Sequence, residues 1–125
     1  MASVIVVDDH PLARRAASAL VRSSASLELV GSAASGAEAL ELAERLRPDV
    51  VIMDVRMPDL DGIETTRLLL SRLPDVRVVL ISTGMVGDLP PGITDCGAAG
   101  FVSKQDLTLD SLTAVIDGRG RTAQT

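Results

Sequence analysis

At 125 residues and 13.0 kDa, with 46% hydrophobic and 23% charged residues, the chain has the size and composition of one globular domain, which excludes disorder and collagen-like repeats. A net charge of −5, no Trp, no Tyr and a single Phe exclude a nucleic-acid surface, which needs phosphate-neutralising charge or aromatic stacking platforms. No apolar run exceeds four residues, too short for a membrane span.

The N-terminus lacks the pattern of a secretory signal. The single cysteine, Cys96, cannot form an internal disulfide, so a cytoplasmic setting is expected. Along the chain, residues 4–7, 50–53 and 78–81 are four-residue runs rich in β-branched side chains. Such runs read as strands buried on both faces, as in a parallel sheet. Pro11 suits the first turn of a helix, and Leu12, Ala16 and Leu20 then recur at four-residue spacing. Residues 27–32 alternate and suit an edge strand.

Ser35-Gly-Ala-Glu38 reads as a capping box, in which Ser and Glu side chains each satisfy a free N–H. Ala39, Leu42, Ala43 and Leu46 form the apolar stripe of the helix it opens, which stops at Arg47-Pro48. Asp61-Gly-Ile-Glu64 is an Asp version of the cap, for a helix running to about Leu73. Residues 84–100 hold five Gly and the pair Pro90-Pro91. Pro costs about 3 kcal/mol and Gly about 1 kcal/mol in a helix relative to Ala. An irregular segment from Gly84 to about Leu89 is therefore expected. At most a short helix follows, with Pro90 or Pro91 in its first turn and Gly97 near its C-cap. Residues 100–103 are a weaker fifth strand, and a last helix spans 109–116, ending at Gly118. The domain is expected to cover 1–118, with 119–125 a polar tail or the start of a linker. Right-handed crossovers make this order a doubly wound α/β sheet.

In such sheets ligands bind beyond the carboxyl ends of the strands. Strand one ends in Asp8-Asp9, strand three in Asp54, strand four in Ser82-Thr83 and strand five in Ser103-Lys104. Singly, each could be a cap or a solvated strand end. Together, carboxylates on strands about 4.8 Å apart must crowd one another. Like charges at that range raise a pKa unless a cation is present, and oxygen ligands around an open position suit Mg²⁺. With the Ser82 hydroxyl and the ammonium of Lys104, the only lysine beside eleven Arg, the set makes a phosphoryl site. Asp54 is its candidate nucleophile.

These motifs resemble the receiver domain of two-component response regulators over residues 2–118. The matching segments are Val-Val-Asp8-Asp9-His10-Pro11 and Met53-Asp54-Val55-Arg56-Met57-Pro58-Asp59-Leu60-Asp61-Gly62, with Ser82 and Lys104 following Asp54 by 28 and 50 residues. Asp-Asp-His-Pro and Lys104-Gln105 look most like the NarL/LuxR-type branch. The resemblance implies a flavodoxin-like five-stranded sheet of order 2-1-3-4-5 with, here, an irregular or shortened fourth helix. It implies a phosphorylation-dependent switch with a transcriptional output, in which Asp54 accepts phosphate from a sensor histidine kinase. Mg²⁺ would be held by Asp9, Asp54 and the backbone carbonyl of Arg56, with Asp8 acting partly through water. Lys104 would pair with the phosphoryl oxygens, Ser82 would turn inward to bond one, and Phe101 would change rotamer with Ser82. Such a domain catalyses its own phosphorylation and dephosphorylation and has no separate turnover substrate. NarL/LuxR-type regulators carry a C-terminal helix-turn-helix, and nothing in this sequence can be one. The chain is then either a stand-alone receiver or one cut in the linker after Gly118. Receivers commonly form homodimers through the face of the fourth helix, fifth strand and fifth helix, whose usual use the Gly- and Pro-rich segment puts in question.

Other readings fare worse. Aspartate-nucleophile phosphatases need a second Asp two residues after the nucleophile, where this chain has Arg56. A dinucleotide site needs a Gly-rich turn after the first strand. A phosphorylation-independent interaction module is opposed by the complete set of Asp8, Asp9, Asp54, Ser82 and Lys104. His10, the only histidine, is read as a turn residue; Asp59 and Asp61 as turn and cap; Met53 and Met57 as packing; Cys96 as inert; Arg14-Arg15 as a solvated helix face.

Overall fold

The computed structural model describes residues 1–83, 92 and 95–118. Five strands, β1 (Ala2–Val7), β2 (Leu27–Ala33), β3 (Val50–Asp54), β4 (Arg77–Ser82) and β5 (Gly100–Ser103), form one sheet of order β2-β1-β3-β4-β5. All its pairings are parallel. Helices α1 (Pro11–Arg22), α2 (Gly36–Leu46) and α3 (Gly62–Arg72) connect β1 through β4, and a 3₁₀ turn (Lys104–Asp106) and helix α4 (Leu109–Ile116) follow β5. The doubly wound order expected from the resemblance is the one observed. The short helix predicted to end near Gly97 is described only at 92 and 95–97, and the irregular segment predicted before it, residues 84–89, falls outside the described residues. So does the tail 119–125. Gly97 is described and takes φ of +94°; a Cβ there would lie 2.6 Å from Leu70 Cδ1.

The central strands are buried on both faces because successive side chains point to opposite sides. Ile5, Val7, Val51, Met53, Val78 and Leu80 face one layer with Ala39 and Ala43 of α2 and Ile63 and Leu69 of α3. Val4, Val6, Val50, Ile52, Val79 and Ile81 face the other, with Ala17 and Val21 of α1 and Leu112, Val115 and Ile116 of α4. Strand β2 lies at the edge, and its pairing with β1 shifts register between Val4 and Ile5.

Two helix faces differ from expectation. On α1 the buried residues are Ala17, Ser18 and Val21, not the stripe through Leu12 and Ala16; Leu12 is 78% exposed. The helix has apolar residues on most of its sides, so periodicity does not set its rotation, and the sheet selects the Ala17–Val21 side. On α2, Ala39 and Ala43 are buried as expected and Leu42 packs against the core, but Leu46 is 40% exposed and Leu40 is buried instead.

The caps differ too. Ser35 Oγ accepts the Glu38 N–H (3.2 Å), but among the described residues Glu38 makes no return bond. The N–H groups of Gly36 and Ala37 instead donate to Asp59 Oδ1 and Oδ2 (3.0 and 2.9 Å), a carboxylate supplied by the loop after β3. A reciprocal box forms at α4, between Thr108 and Ser111. Asp61 caps α3 as read from sequence, accepting the Glu64 N–H at 2.7 Å. Arg47 ends α2 in the left-handed region, φ 48°, directly before Pro48, where a further helical turn is disfavoured.

Candidate functional site

Each acidic residue of interest stands where a buried strand runs out. Val4–Val7 hold β1 in the sheet interior, so Asp8 emerges at its carboxyl end, anchored by its N–H to Ala33 O (3.1 Å). Its side chain is 0% exposed. Asp9 follows, partly exposed. Asp54 ends β3, 4% exposed, and its Oδ1 accepts the Arg56 N–H (3.3 Å). Beyond it the chain turns so tightly that Gly62 N–H donates to Val55 O (2.6 Å). A Cβ on Gly62 would lie 2.5 Å from the Asp54 carbonyl oxygen, so only glycine fits there without displacing the backbone under Asp54.

Lys104 reaches in from the 3₁₀ turn after β5. Its Nζ lies 2.9 Å from Asp8 Oδ2 and 3.3 Å from Asp54 Oδ2. Burial pushes the Asp54 carboxyl up, as does the Asp8 charge, against the opposing pull of Lys104. Burial alone would lower Lys104, but the hydrogen bond to Asp8 and the charges of Asp54 and Asp8 outweigh it and hold the ammonium above the usual lysine range. Asp54 is thus a desolvated carboxylate that stays matched only while a cation is near.

Asp8, Asp9, Asp54 and Lys104 are brought together. Ser82 is buried at the end of β4, in register with Ser103, and Phe101, opposite Leu80, packs partly buried against the core layer of α2 and α3. Arg56 is exposed and contributes its N–H to Asp54. One residue read from sequence as a turn residue, in preference to a ligand, also enters the site. His10 Nδ1 lies 3.3 Å from Asp8 Oδ1, 3.2 Å from Asp9 Oδ1 and 3.9 Å from Asp54 Oδ2. The signal for it was adjacency: the residue after Asp8-Asp9 shares their turn. The donor atoms of Asp8, Asp9, His10 and Asp54 all lie within 4.8 Å of one another. Asp9 Oδ1 is shielded from solvent and accepts no hydrogen bond among the described residues. Crowded carboxylates around an unsatisfied oxygen fit a divalent cation, and oxygen donors fit Mg²⁺.

Residues 4–117 match the family described as response regulator receiver domain. The chain belongs to that family. This receiver domain is 41% identical over 104 residues to the response regulator GacA of Pseudomonas aeruginosa, an alignment covering 83% of this chain and 49% of the relative. It is 39% identical over 122 residues to the DNA-binding transcriptional activator DevR/DosR of Mycobacterium tuberculosis, covering 97% and 56%. The receiver domain thus spans about half the length of these curated relatives. Among solved structures, it superposes on the signal receiver domain of the putative response regulator NarL from Mycobacterium tuberculosis with a TM-score of 0.82 and 39% identity, covering 96% of this chain and 98% of that one. A LuxR-family response regulator from Aurantimonas gives a TM-score of 0.84 at 28% identity, covering 95% and 87%. Receiver domains of this family are phosphorylation-based signalling switches. Among the described residues no helix is long and apolar enough to cross a membrane.

Proposed function

We propose that Asp54 is the phosphoacceptor of this domain and that a sensor histidine kinase is its donor. The observation that carries this reading is the placement of Lys104 Nζ between the buried carboxylates of Asp8 and Asp54. In the transfer an Asp54 Oδ–P bond forms as the donor's P–N bond breaks, and the electron pair stays on the donor imidazole nitrogen. Asp8, Asp9, Asp54 and the Arg56 carbonyl would hold Mg²⁺, which when bound neutralises charge on the phosphoryl oxygens. The protein's own part is positioning and charge. Burial strips water from Asp54, the Arg56 N–H fixes one of its oxygens, and Gly62 keeps the backbone beneath it in place. Lys104, already within ion-pair reach, shifts its contact from the carboxylate to the phosphoryl oxygens. Transfer of this kind asks for little beyond such placement.

The Ser82 hydroxyl then bonds a phosphoryl oxygen, and Phe101 on the neighbouring strand responds. The domain runs over residues 1–118. GacA and DevR/DosR are about twice as long and DevR/DosR is named as a DNA-binding transcriptional activator, which supports a transcriptional output through a segment outside this chain, in the cytoplasm, with no direct nucleic-acid contact by the receiver. Pairing of two receivers is part of the same proposal.

The test is intact-mass measurement after incubation with a small phosphodonor and Mg²⁺. The wild type gains one phosphoryl group and Asp54→Asn gains none; equal modification of both sinks the assignment. A wild type that is never modified, with Mg²⁺ present and the fold intact, points instead to a phosphorylation-independent interaction module.

A further inference from the structure

The nitrogen of His10 stands where the site's reading as a set of oxygens does not foresee it. The backbone fixes the residue: His10 is the N-cap of α1, its N–H donates to Asp8 Oδ1 (2.9 Å), and Pro11 begins the helix. Its side chain makes no cap bond to the helix. The ring turns toward the acids, and Nδ1 has three different carboxylates at 3.2, 3.3 and 3.9 Å. A six-coordinate ion with bonds of about 2.1 Å holds neighbouring ligand atoms about 3.0 Å apart and opposite ones about 4.2 Å apart. The spacing of Nδ1 from the Asp8, Asp9 and Asp54 oxygens falls within that range. Small shifts would let one ion touch all four side chains. Asp9 Oδ1 is shielded from solvent and accepts no hydrogen bond among the described residues, although His10 Nδ1 lies 3.2 Å away, a second sign that the cluster is built around something positive. The side chain of His10 is 68% exposed, so with the ring proton on the solvent-side Nε2 the Nδ1 lone pair faces the cluster and can ligate, in place of the hydrogen bond that the other tautomer donates to Asp8 Oδ1 at 3.3 Å.

We propose that His10 is a direct ligand of the divalent cation in this site, which makes it a mixed nitrogen–oxygen centre that favours Mn²⁺ and other imidazole-accepting ions over Mg²⁺. The inference rests on the reading above that the acid cluster holds a cation. Mg²⁺ gains little from an imidazole, whereas first-row transition ions gain progressively along the series from Mn²⁺ to Cu²⁺. Removing the ring should therefore change the Mn²⁺ to Mg²⁺ affinity ratio and leave Mg²⁺ affinity nearly unchanged. Loss even of a residue that only supports a metal ligand costs about 10–100-fold in affinity, so a drop of at least ~10-fold in the ratio is expected for a lost ligand.

The experiment titrates wild type, His10→Ala and His10→Gln with Mn²⁺ and with Mg²⁺ by calorimetry, and records pulsed electron paramagnetic resonance of the Mn²⁺ forms. Retained far-ultraviolet circular dichroism confirms that the variants fold. The expected result is a nitrogen coupling on Mn²⁺ in the wild type that both variants lose, with the ratio falling at least ~10-fold. Mn²⁺ bound without nitrogen coupling, or an unchanged ratio, overturns the role of His10 and leaves the phosphoacceptor reading intact. If neither cation binds the wild type, the underlying cation site itself is overturned.

Discussion

Asp59 is the clearest target for a stability measurement, because a residue of the loop after β3 caps a helix 22 positions earlier. Its two oxygens accept the Gly36 and Ala37 N–H groups, the first two of α2, at 3.0 and 2.9 Å. Asp59→Ala leaves both donors without a protein acceptor and removes a negative charge from the positive end of the helix. Loss of a capping side chain costs about 1 kcal/mol, within a range of roughly 0.5–2 kcal/mol. Attraction to the helix dipole adds about 0.3–1 kcal/mol at an exposed site. Ala37 and Asp59 are exposed and rehydrate, whereas Gly36 is buried and does so poorly. A loss of about 1–2 kcal/mol is therefore expected at pH 7.

The pH dependence separates this account from generic damage. The Ala37 N–H, ahead of the other backbone donors, holds the Asp59 carboxyl below its usual range. A depressed carboxyl contributes its stability in full above the unfolded pKa of about 3.9, and that contribution is lost as pH falls through the folded value. The gap between wild type and Asp59→Ala in urea unfolding, followed by circular dichroism, should be full at pH 7 and close as the pH drops below about 4. Asp59→Asn keeps an acceptor without the charge; its smaller deficit at pH 7 should shrink likewise as wild-type Asp59 is protonated. A variant within about 0.3 kcal/mol of wild type at pH 7, below the lower limit for a lost cap, would refute the reasoning. So would a deficit for Asp59→Ala that persists unchanged into acid.

Three other outcomes follow from the site. Asp54→Asn should raise the urea midpoint in the presence of a chelator at pH 7: the raised Asp54 pKa means stability present below the unfolded value and lost as pH rises through the folded one, so the advantage should shrink toward pH 4. Gly62→Ala should cost about 1–3 kcal/mol by overpacking, since its Cβ would lie 2.5 Å from Asp54 O, and phosphorylation followed by intact mass should slow with it. Lys104→Ala should cost about 3–5 kcal/mol at pH 7 by leaving Asp8 buried without its ion pair. Lys104→Arg should restore part of that stability but not the Phe101 shifts seen by NMR on adding a phosphate mimic, because a planar fork does not replace a compact ammonium.

Much of this protein was legible from sequence, for local reasons. A strand buried on both faces must be a short, continuous apolar run, and residues 4–7, 50–53 and 78–81 are such runs, so the acids that end them announce the functional edge of the sheet. Asp61 is a cap of local spacing, and Arg47-Pro48 stops α2 through the backbone alone. What the tertiary structure decided is non-local. The rotation of α1 was open because apolar residues surround it, and contact with the sheet selected Ala17 and Val21 over Leu12. The second acceptor at α2 is Asp59 and not Glu38, because the β3–α3 loop crosses that helix start with Gly36 packed beneath Leu60 and Thr65. No spacing rule joins residues 22 apart. His10 was visible as part of the turn, but that its Nδ1 comes within 3.9 Å of Asp54, beside its sequence neighbours Asp8 and Asp9, depends on where β3 delivers Asp54. Two of the three carboxylates are its neighbours in the turn; the third comes from a strand distant in sequence, which only the assembled sheet brings near.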